Sequence, residues 1–293
     1  MSQLKLATRG SRLALAQAGL VADALGGAEI VAVSSSDGEP GDKERFVRGV
    51  ERAVLEGEAD LAVHSAKDLP GDRPDDLRLV GVPGRADPVD AYVGEASSLD
   101  EVPEGARVGT ASLRRRSQLL ALRPDLDVVE LHGNVDTRLR KLSDGGFDAI
   151  VLAAAGLRRL TLEAEIAFGF GLEELTPAAG QGSLALEARR DDPDAAAAAA
   201  SISDHDALVE LTAERAAVAT LQATCHTPVG ICARLDGDEL TMHGFAGLRD
   251  GSEWVRDRVT GDPEQPAALG QALAERLLAA GAGPILERAE ALA

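Results

Sequence analysis

Leu4-Lys5-Leu6-Ala7-Thr8-Arg9-Gly10-Ser11-Arg12-Leu13-Ala14-Leu15-Ala16-Gln17 is the stretch on which the fold turns. From Leu4 to Thr8 apolar and polar residues alternate, the period-two pattern of a strand with one buried face. Gly10-Ser11 breaks that period. Leu13, Leu15, Ala16, Leu20, Val21 and Leu25 then recur at near-helical spacing up to Gly26-Gly27. Strand, polar turn and helix in that order form the unit from which α/β layers are wound. Working outward, Glu29–Ser34 reads as a second strand. A helix over about 44–56 carries Phe46, Val47, Val50, Val54 and Leu55, and Ala59–His64 is a third strand. It ends in the polar turn His64-Ser65-Ala66-Lys67-Asp68.

The pattern then restarts. Asp90–Val93, Arg107–Val108, Asp127–Leu131 and Phe147–Ala153 read as strands, with helices over Ser112–Leu122 and Val135–Leu142. Two similar α/β units joined near Pro83–Pro88 are expected, with parallel sheets. Thr176-Pro-Ala-Ala-Gly-Gln-Gly182 leads into the apolar Ser183–Glu187, a segment free to recross to the first unit. Asp191–Ala200 reads as a helix. Beyond about His205 the style changes to a helix over Leu208–Leu221 and strands over Val229–Leu235, Leu240–Ala246 and Glu253–Val259, an antiparallel meander. A closing helix over about 263–280 has Asp262 as its expected N-cap. The expected division is 1–84 with 183–202, then 88–178, then a C-terminal α+β domain over 205–293.

The chain has 293 residues, 45% of them apolar, which is material for two or three cored domains. Its 49 Asp and Glu against 30 Lys and Arg leave a formal charge of −19, a field that repels phosphate backbones and anionic lipid. Nucleic-acid and membrane-surface binding by bulk charge are therefore not expected. No apolar run approaches the ~20 residues of a bilayer span. The opening residues reach charge and Gly10 too early for a signal-peptide core, so a cytoplasmic location is expected. Only four of the basic residues are lysines (Lys5, Lys43, Lys67 and Lys141), a balance expected of a host with salty cytoplasm; codon composition is the other source. Cys225 and Cys232 are spaced for neither a disulfide framework nor a CxxC metal site, and no metal is expected.

In open α/β sheets, ligands gather at the carboxyl ends of strands, where helix N-termini offer unpaired N–H groups to anions. Arg9 and Ser11 lie at one such junction, Gly109-Thr-Ala-Ser-Leu-Arg-Arg115 at a second and Gly133-Asn-Val-Asp-Thr-Arg138 at a third, with Asn134 as expected N-cap. None has a Walker or GxGxxG glycine pattern. The guanidinium fork matches carboxylates two bonds at a time, so a small polyanion is the expected ligand. Taken singly, each arginine also reads as a surface counter-charge in an acidic chain. An ion pair at ~4 Å is worth about 1 kcal/mol in water and about 4 at an effective dielectric of 20, so only a sheltered site makes such contacts strong. Asp68 suits acid–base or cation-stabilising work, or simply caps a turn. Cys225 begins the turn Thr224-Cys-His-Thr-Pro-Val-Gly230: it is either a small buried apolar group or an accessible thiolate able to form a covalent bond. Cys232, inside the next predicted strand, reads as buried filler.

These blocks, in this order, resemble the porphobilinogen deaminase (hydroxymethylbilane synthase) family. The likeness rests on Ala7–Gln17, Ala62-Val-His-Ser-Ala-Lys-Asp-Leu-Pro70, Gly109–Arg115, Gly133–Arg138, Asp148–Arg159, Ala179-Gly-Gln-Gly182 and Cys225-His-Thr-Pro-Val-Gly230. It implies two periplasmic-binding-protein-like α/β lobes with a cleft, plus the smaller C-terminal α+β domain. It also implies a transferase that joins four porphobilinogen molecules head-to-tail, with loss of ammonia, and hydrolytically releases hydroxymethylbilane. The primer would be a dipyrromethane cofactor held by a thioether at Cys225. By the same resemblance Asp68 is the catalytic residue that stabilises azafulvenium cations. Lys67, Ser112, Arg114 and Arg115 hold the cofactor, and Arg9, Ser11, Arg138, Arg159 and Lys43 hold substrate. A monomer that hands its product to uroporphyrinogen-III synthase is implied as well. The chain departs from the family pattern at His132, where an Arg is usual, at Ala223-Thr224 before Cys225, and at Asp42-Lys43-Glu44. Two other readings compete: a solute-binding protein or effector-sensing domain, which would need an export signal or a basic helix-turn-helix, and an unrelated enzyme closing on a dicarboxylate, which would not need Cys225.

Overall fold

The computed structural model describes residues 3–33, 43–70, 74–224 and 227–291. In chain order the elements begin with β1 (Lys5–Arg9), α1 (Arg12–Ala24), β2 (Glu29–Val33), α2 (Lys43–Leu55), β3 (Leu61–Ser65) and β4 (Leu77–Gly81). Then come β5 (Asp90–Gly94), β6 (Arg107–Gly109), α3 (Leu113–Leu122), β7 (Asp127–Val129), α4 (Val135–Ser143), β8 (Ala149–Ala153), α5 (Ala154–Arg159) and β9 (Phe168–Gly169). The chain continues through β10 (Leu184–Arg189), α6 (Pro193–Ser201), α7 (His205–Leu221), β11 (Val229–Asp236), β12 (Glu239–Gly247), β13 (Trp254–Gly261), α8 (Pro266–Ala279) and α9 (Ala282–Ala291). They pack as two compact units, 1–86 with 182–208 and 87–181 with 209–293.

The first unit is built on one sheet of order β2-β1-β3-β10-β4, with β1 parallel to both β2 and β3. Its core joins Leu6, Leu61, Val63, Leu184 and Leu186 to Ala18, Val21 and Ala22 of α1. The expected apolar face is thereby corrected: Val21 is buried as its spacing predicts, but Leu15 and Leu20 are exposed, and small residues (Ala14, Ala18, Ala22) bring the helix against the sheet. Burying a Leu of this kind is worth about 1.5–3 kcal/mol. The second unit repeats the layout, β7-β6-β8-β5-β9, and adds a separate sheet of order β11-β12-β13. The smaller sheet is an antiparallel meander whose core takes Val209, Ala213 and Ala217 from α7, Leu273 and Leu277 from α8 and Leu286 from α9.

Several expectations are corrected. The lobe sheets are mixed rather than parallel: β10 runs antiparallel to β3 and β4, and β5 antiparallel to β8 and β9. The odd strand in each sheet follows the stretch of chain that arrives from the other unit, so no crossover helix on its own sheet dictates its direction. Ser183–Glu187 does lie largely within a strand of the first sheet, as β10. Four elements have no counterpart in the sequence reading: β4, α5, β9 and α9. The last helix cluster begins at Pro266, with Gln265 rather than Asp262 at the cap position; Asp262 instead accepts the Glu264 N–H at 2.9 Å, closing a local turn. Asn134 occupies the cap position of α4, but its side chain makes no capping bond.

Candidate active site

Every site residue that falls within the described residues sits at the carboxyl end of a lobe strand or on the helix that follows. In the first unit, β1 ends at Arg9, and Ser11 caps α1 by accepting the Ala14 N–H at 3.3 Å. On the neighbouring β3, Ser65 donates to Gln17 at 3.1 Å, and the chain folds into a single 3-10 turn over Ala66–Asp68. The Ala66 N–H is anchored on the Ser183 carbonyl at 3.0 Å. Lys67 is exposed and Asp68 half-buried. Among the described residues, no side chain or backbone group takes up the Asp68 carboxylate by hydrogen bond or ion pair. His64, grouped with this turn by sequence, is instead buried, its Nε2 3.2 Å from Glu187 Oε2, and belongs to the packing beneath the site.

In the second unit the junction after β6 carries Ser112, whose hydroxyl accepts the Arg115 N–H at 3.4 Å and caps α3. Arg114 and Arg115 follow on the first turn, each 5% exposed, and both reach Asp90, which is fully buried. Arg114 Nη1 donates to Asp90 Oδ2 at 2.7 Å and to the Thr176 carbonyl at 2.7 Å. Arg115 donates to Asp90 Oδ1 through Nε at 3.0 Å and Nη2 at 2.7 Å, and to the Val151 carbonyl through Nη1 at 3.0 Å. Gln181 Nε2 adds a further donor to Asp90 Oδ1 at 2.7 Å and ties the Pro88 carbonyl at 2.6 Å. The two guanidinium groups hold the Asp90 carboxyl far below the usual carboxylate range against the opposing effect of burial.

The Nε and Nη2 of Arg115 are thus both spent on Asp90. Arg114 keeps Nε and Nη2 without a partner among the described residues. Arg138, on α4, donates through Nε to the Gly133 carbonyl at 2.7 Å. Burial, and then the nearby Arg115, lower its pKa to about 10, so it stays a desolvated cation at neutral pH. Arg159 ends α5, and burial lowers it to about 10 as well. His132 is exposed and lies 3.1 Å from Glu130. Cys225 lies outside the described residues, as does the side chain of Lys43; Cys232 is a buried cysteine, as the sequence suggests. Among the described residues no cluster of His, Cys, Asp or Glu could hold a metal ion, and no helix is long and apolar enough to cross a membrane.

Sequence reasoning missed Asp90. A carboxylate opening a predicted strand carries no pattern, and its partners stand 24 and 25 positions away. The signal lay in the arginines: the run Arg114-Arg115-Arg116 on the first turn of a helix cannot turn every guanidinium to solvent, and those that are buried need an acid.

Comparison with known proteins bears on this geometry. A family model described as porphobilinogen deaminase, dipyromethane cofactor binding domain, matches residues 4–197, and one described as porphobilinogen deaminase, C-terminal domain, matches 208–279. The porphobilinogen deaminase of Roseiflexus sp. strain RS-1 is 48% identical over 298 residues, covering 97% of this chain and 98% of that protein. That of Campylobacter concisus strain 13826 is 41% identical over 310 residues, covering both chains in full. Among solved structures, a TRAP periplasmic solute binding protein from Desulfovibrio salexigens aligns with 69% of this chain and 72% of its own at a TM-score of 0.41 and 11% identity, a distant likeness.

Proposed function

This chain belongs to the porphobilinogen deaminase family, and from that premise we propose how its own residues divide the work of a hydroxymethylbilane synthase. The activity is a transferase reaction of tetrapyrrole biosynthesis: porphobilinogen units are condensed, with loss of ammonia, onto a dipyrromethane cofactor. When bound, that cofactor supplies the pyrrole α-carbon at which each new carbon–carbon bond forms. The residues present suit its acidic side chains. In a chain of formal charge −19, two buried guanidinium groups meet one buried carboxylate, which leaves a positive charge in excess at the strand ends. That surplus is the observation that carries the reading, because an uncompensated buried cation is costly until an anion joins it.

Cys225 anchors the cofactor through its sulfur. Arg114 offers Nε and Nη2 to a cofactor carboxylate, Arg115 contributes mainly its charge, and Lys67 and Ser112 complete the holding set. Arg9, Ser11, Arg138, Arg159 and Lys43 hold the acetate and propionate of incoming porphobilinogen. His132 stands where the family pattern has Arg, so that contact is weaker than a guanidinium would make. Asp68 stabilises the cation that develops on the substrate as ammonia departs. Its carboxylate is unengaged within the described residues and therefore ready to accept pyrrole N–H groups. The domain division is 1–84 with 183–202, 88–178 and 205–293. The protein acts as a cytoplasmic monomer, passes its product to uroporphyrinogen-III synthase, and is adapted to salt.

Asp68→Asn tests this division. The variant keeps the mass of the attached cofactor and loses roughly 10²–10³ in turnover, the usual loss when a preorganised charge-stabilising group is removed. Wild-type turnover in that variant would remove Asp68 from the chemistry.

A further inference from the structure

We propose that Asp90 is a positioning residue that sets the edge Arg114 presents to the cofactor's carboxylates, a role that rests on the reading of Arg114 as a cofactor contact. The topology explains why an acid at the start of a strand can do this. β5 runs antiparallel to β8, with Asp90 opposite Ala153, so the first residue of β5 lies beside the last residue of β8. Asp90 thereby reaches the ligand edge of the sheet from below.

The bonding pattern is divided unequally between the two oxygens. Oδ1 takes three donors, Arg115 Nε and Nη2 and Gln181 Nε2, at 2.7–3.0 Å. Among the described residues Oδ2 takes only Arg114 Nη1, at 2.7 Å. Arg115 and Gln181 thus fix the carboxylate plane, and the carboxylate in turn fixes Arg114 by one nitrogen. The Thr176 carbonyl accepts from that same nitrogen at 2.7 Å, which makes two acceptors on Nη1. The planar guanidinium is pinned along one edge, and its opposite edge, Nε and Nη2, is turned away from Asp90. A carboxylate ligand can take that free edge without competing with Asp90. Gln181 belongs to the Gly-Gln-Gly segment just before β10, and its amide also ties the Pro88 carbonyl just before β5, so Asp90 is held where the chain enters its strand.

A merely structural acid would lower stability whether or not the cofactor is attached. A positioning acid must also lower the stability that the attached cofactor adds. The measurement is therefore a cycle of thermal midpoints: the increment between each protein able to carry cofactor and its Cys225→Ser counterpart, in the wild-type, Asp90→Asn, Gln181→Leu and Arg114→Leu backgrounds. The expected result is an increment cut to less than half in Asp90→Asn and reduced in Gln181→Leu, with a smaller cofactor-bearing fraction by intact mass. If Asp90→Asn does not fold, Gln181→Leu, which leaves the carboxylate's charge in place and removes one of its donors together with the tie to the Pro88 carbonyl, decides by the same readout. A loss in Arg114→Leu alongside a wild-type increment in the folded Asp90 and Gln181 variants would overturn the positioning role alone. A wild-type increment in Arg114→Leu would overturn the cofactor contact, and the proposal with it.

Discussion

Losing one partner of a buried, hydrogen-bonded ion pair costs about 3–5 kcal/mol, so Asp90→Asn is expected to be markedly less stable at neutral pH. The pH dependence follows from the direction of its shift. A carboxyl whose folded-state pKa lies below its unfolded value contributes stability in full above about pH 3.9, and loses it at about 1.4 kcal/mol per unit as pH falls toward the folded value. The difference in urea midpoint between wild type and Asp90→Asn should therefore be constant from neutral pH to about 4.5 and narrow below about 3.9. A difference that stays constant down to pH 3 would mean that the carboxylate is not the group being stabilised. His64 illustrates the opposite case. Its place in a polar turn suggests chemistry, yet it lies buried 3.2 Å from Glu187.

At the scale of elements, the seam between the β11–β13 sheet and the second lobe depends on missing side chains. A Cβ on Gly230 would stand 2.5 Å from the Thr176 carbonyl oxygen, and one on Gly247 would stand 2.6 Å from Ser117 Oγ. These close approaches let Ile231 donate to the Pro177 carbonyl at 2.8 Å, and let the buried Glu214 accept from Gly180 and Ala233 at 2.6 and 2.8 Å. Because the Thr176 carbonyl also accepts from Arg114 and Gln118, the seam supports the cationic cluster directly. Gly230→Ala should cost about 1–3 kcal/mol, as overpacking against backbone does, and lower the cofactor-bearing fraction; a wild-type denaturation midpoint would show that the seam is slack. Elements with long periodic patterns were legible: α1 and the β11–β13 meander appear within a few residues of where their spacing puts them. β4, α5, β9 and α9 were not, because two to six residues are too few for a period, or because a Gly-Pro interruption, as at Gly281–Pro284, hides one. Strand direction was illegible for a different reason: β5 and β10 receive their orientation from the chain's passage between units, which no local pattern records.

For the whole molecule, composition and site pull in opposite directions. A formal charge of −19 repels itself, while the lobes gather guanidinium groups at their strand ends. At 1 M salt the screening length falls to about 3 Å, so a salt-adapted surface gains stability there while buried pairs are little affected. The thermal midpoint should rise from dilute buffer to molar potassium chloride; a midpoint that falls would return the acidity to codon composition. The candidate site was legible as strand-to-helix junctions bearing Arg, Ser and Asp. Its carboxylate partner was not, because an ion pair between residues 90 and 115 is made by the fold rather than by neighbours in sequence.

The central claim is that the sulfur of Cys225 permanently carries a two-pyrrole primer in a site whose surplus positive charge is built for carboxylates. Intact-mass spectrometry of the freshly purified protein and of Cys225→Ser tests it most directly. A wild-type mass above that of the bare chain by two linked pyrrole units, with no such excess in Cys225→Ser, is the predicted result. A wild-type protein at its bare sequence mass that still polymerises porphobilinogen would contradict it.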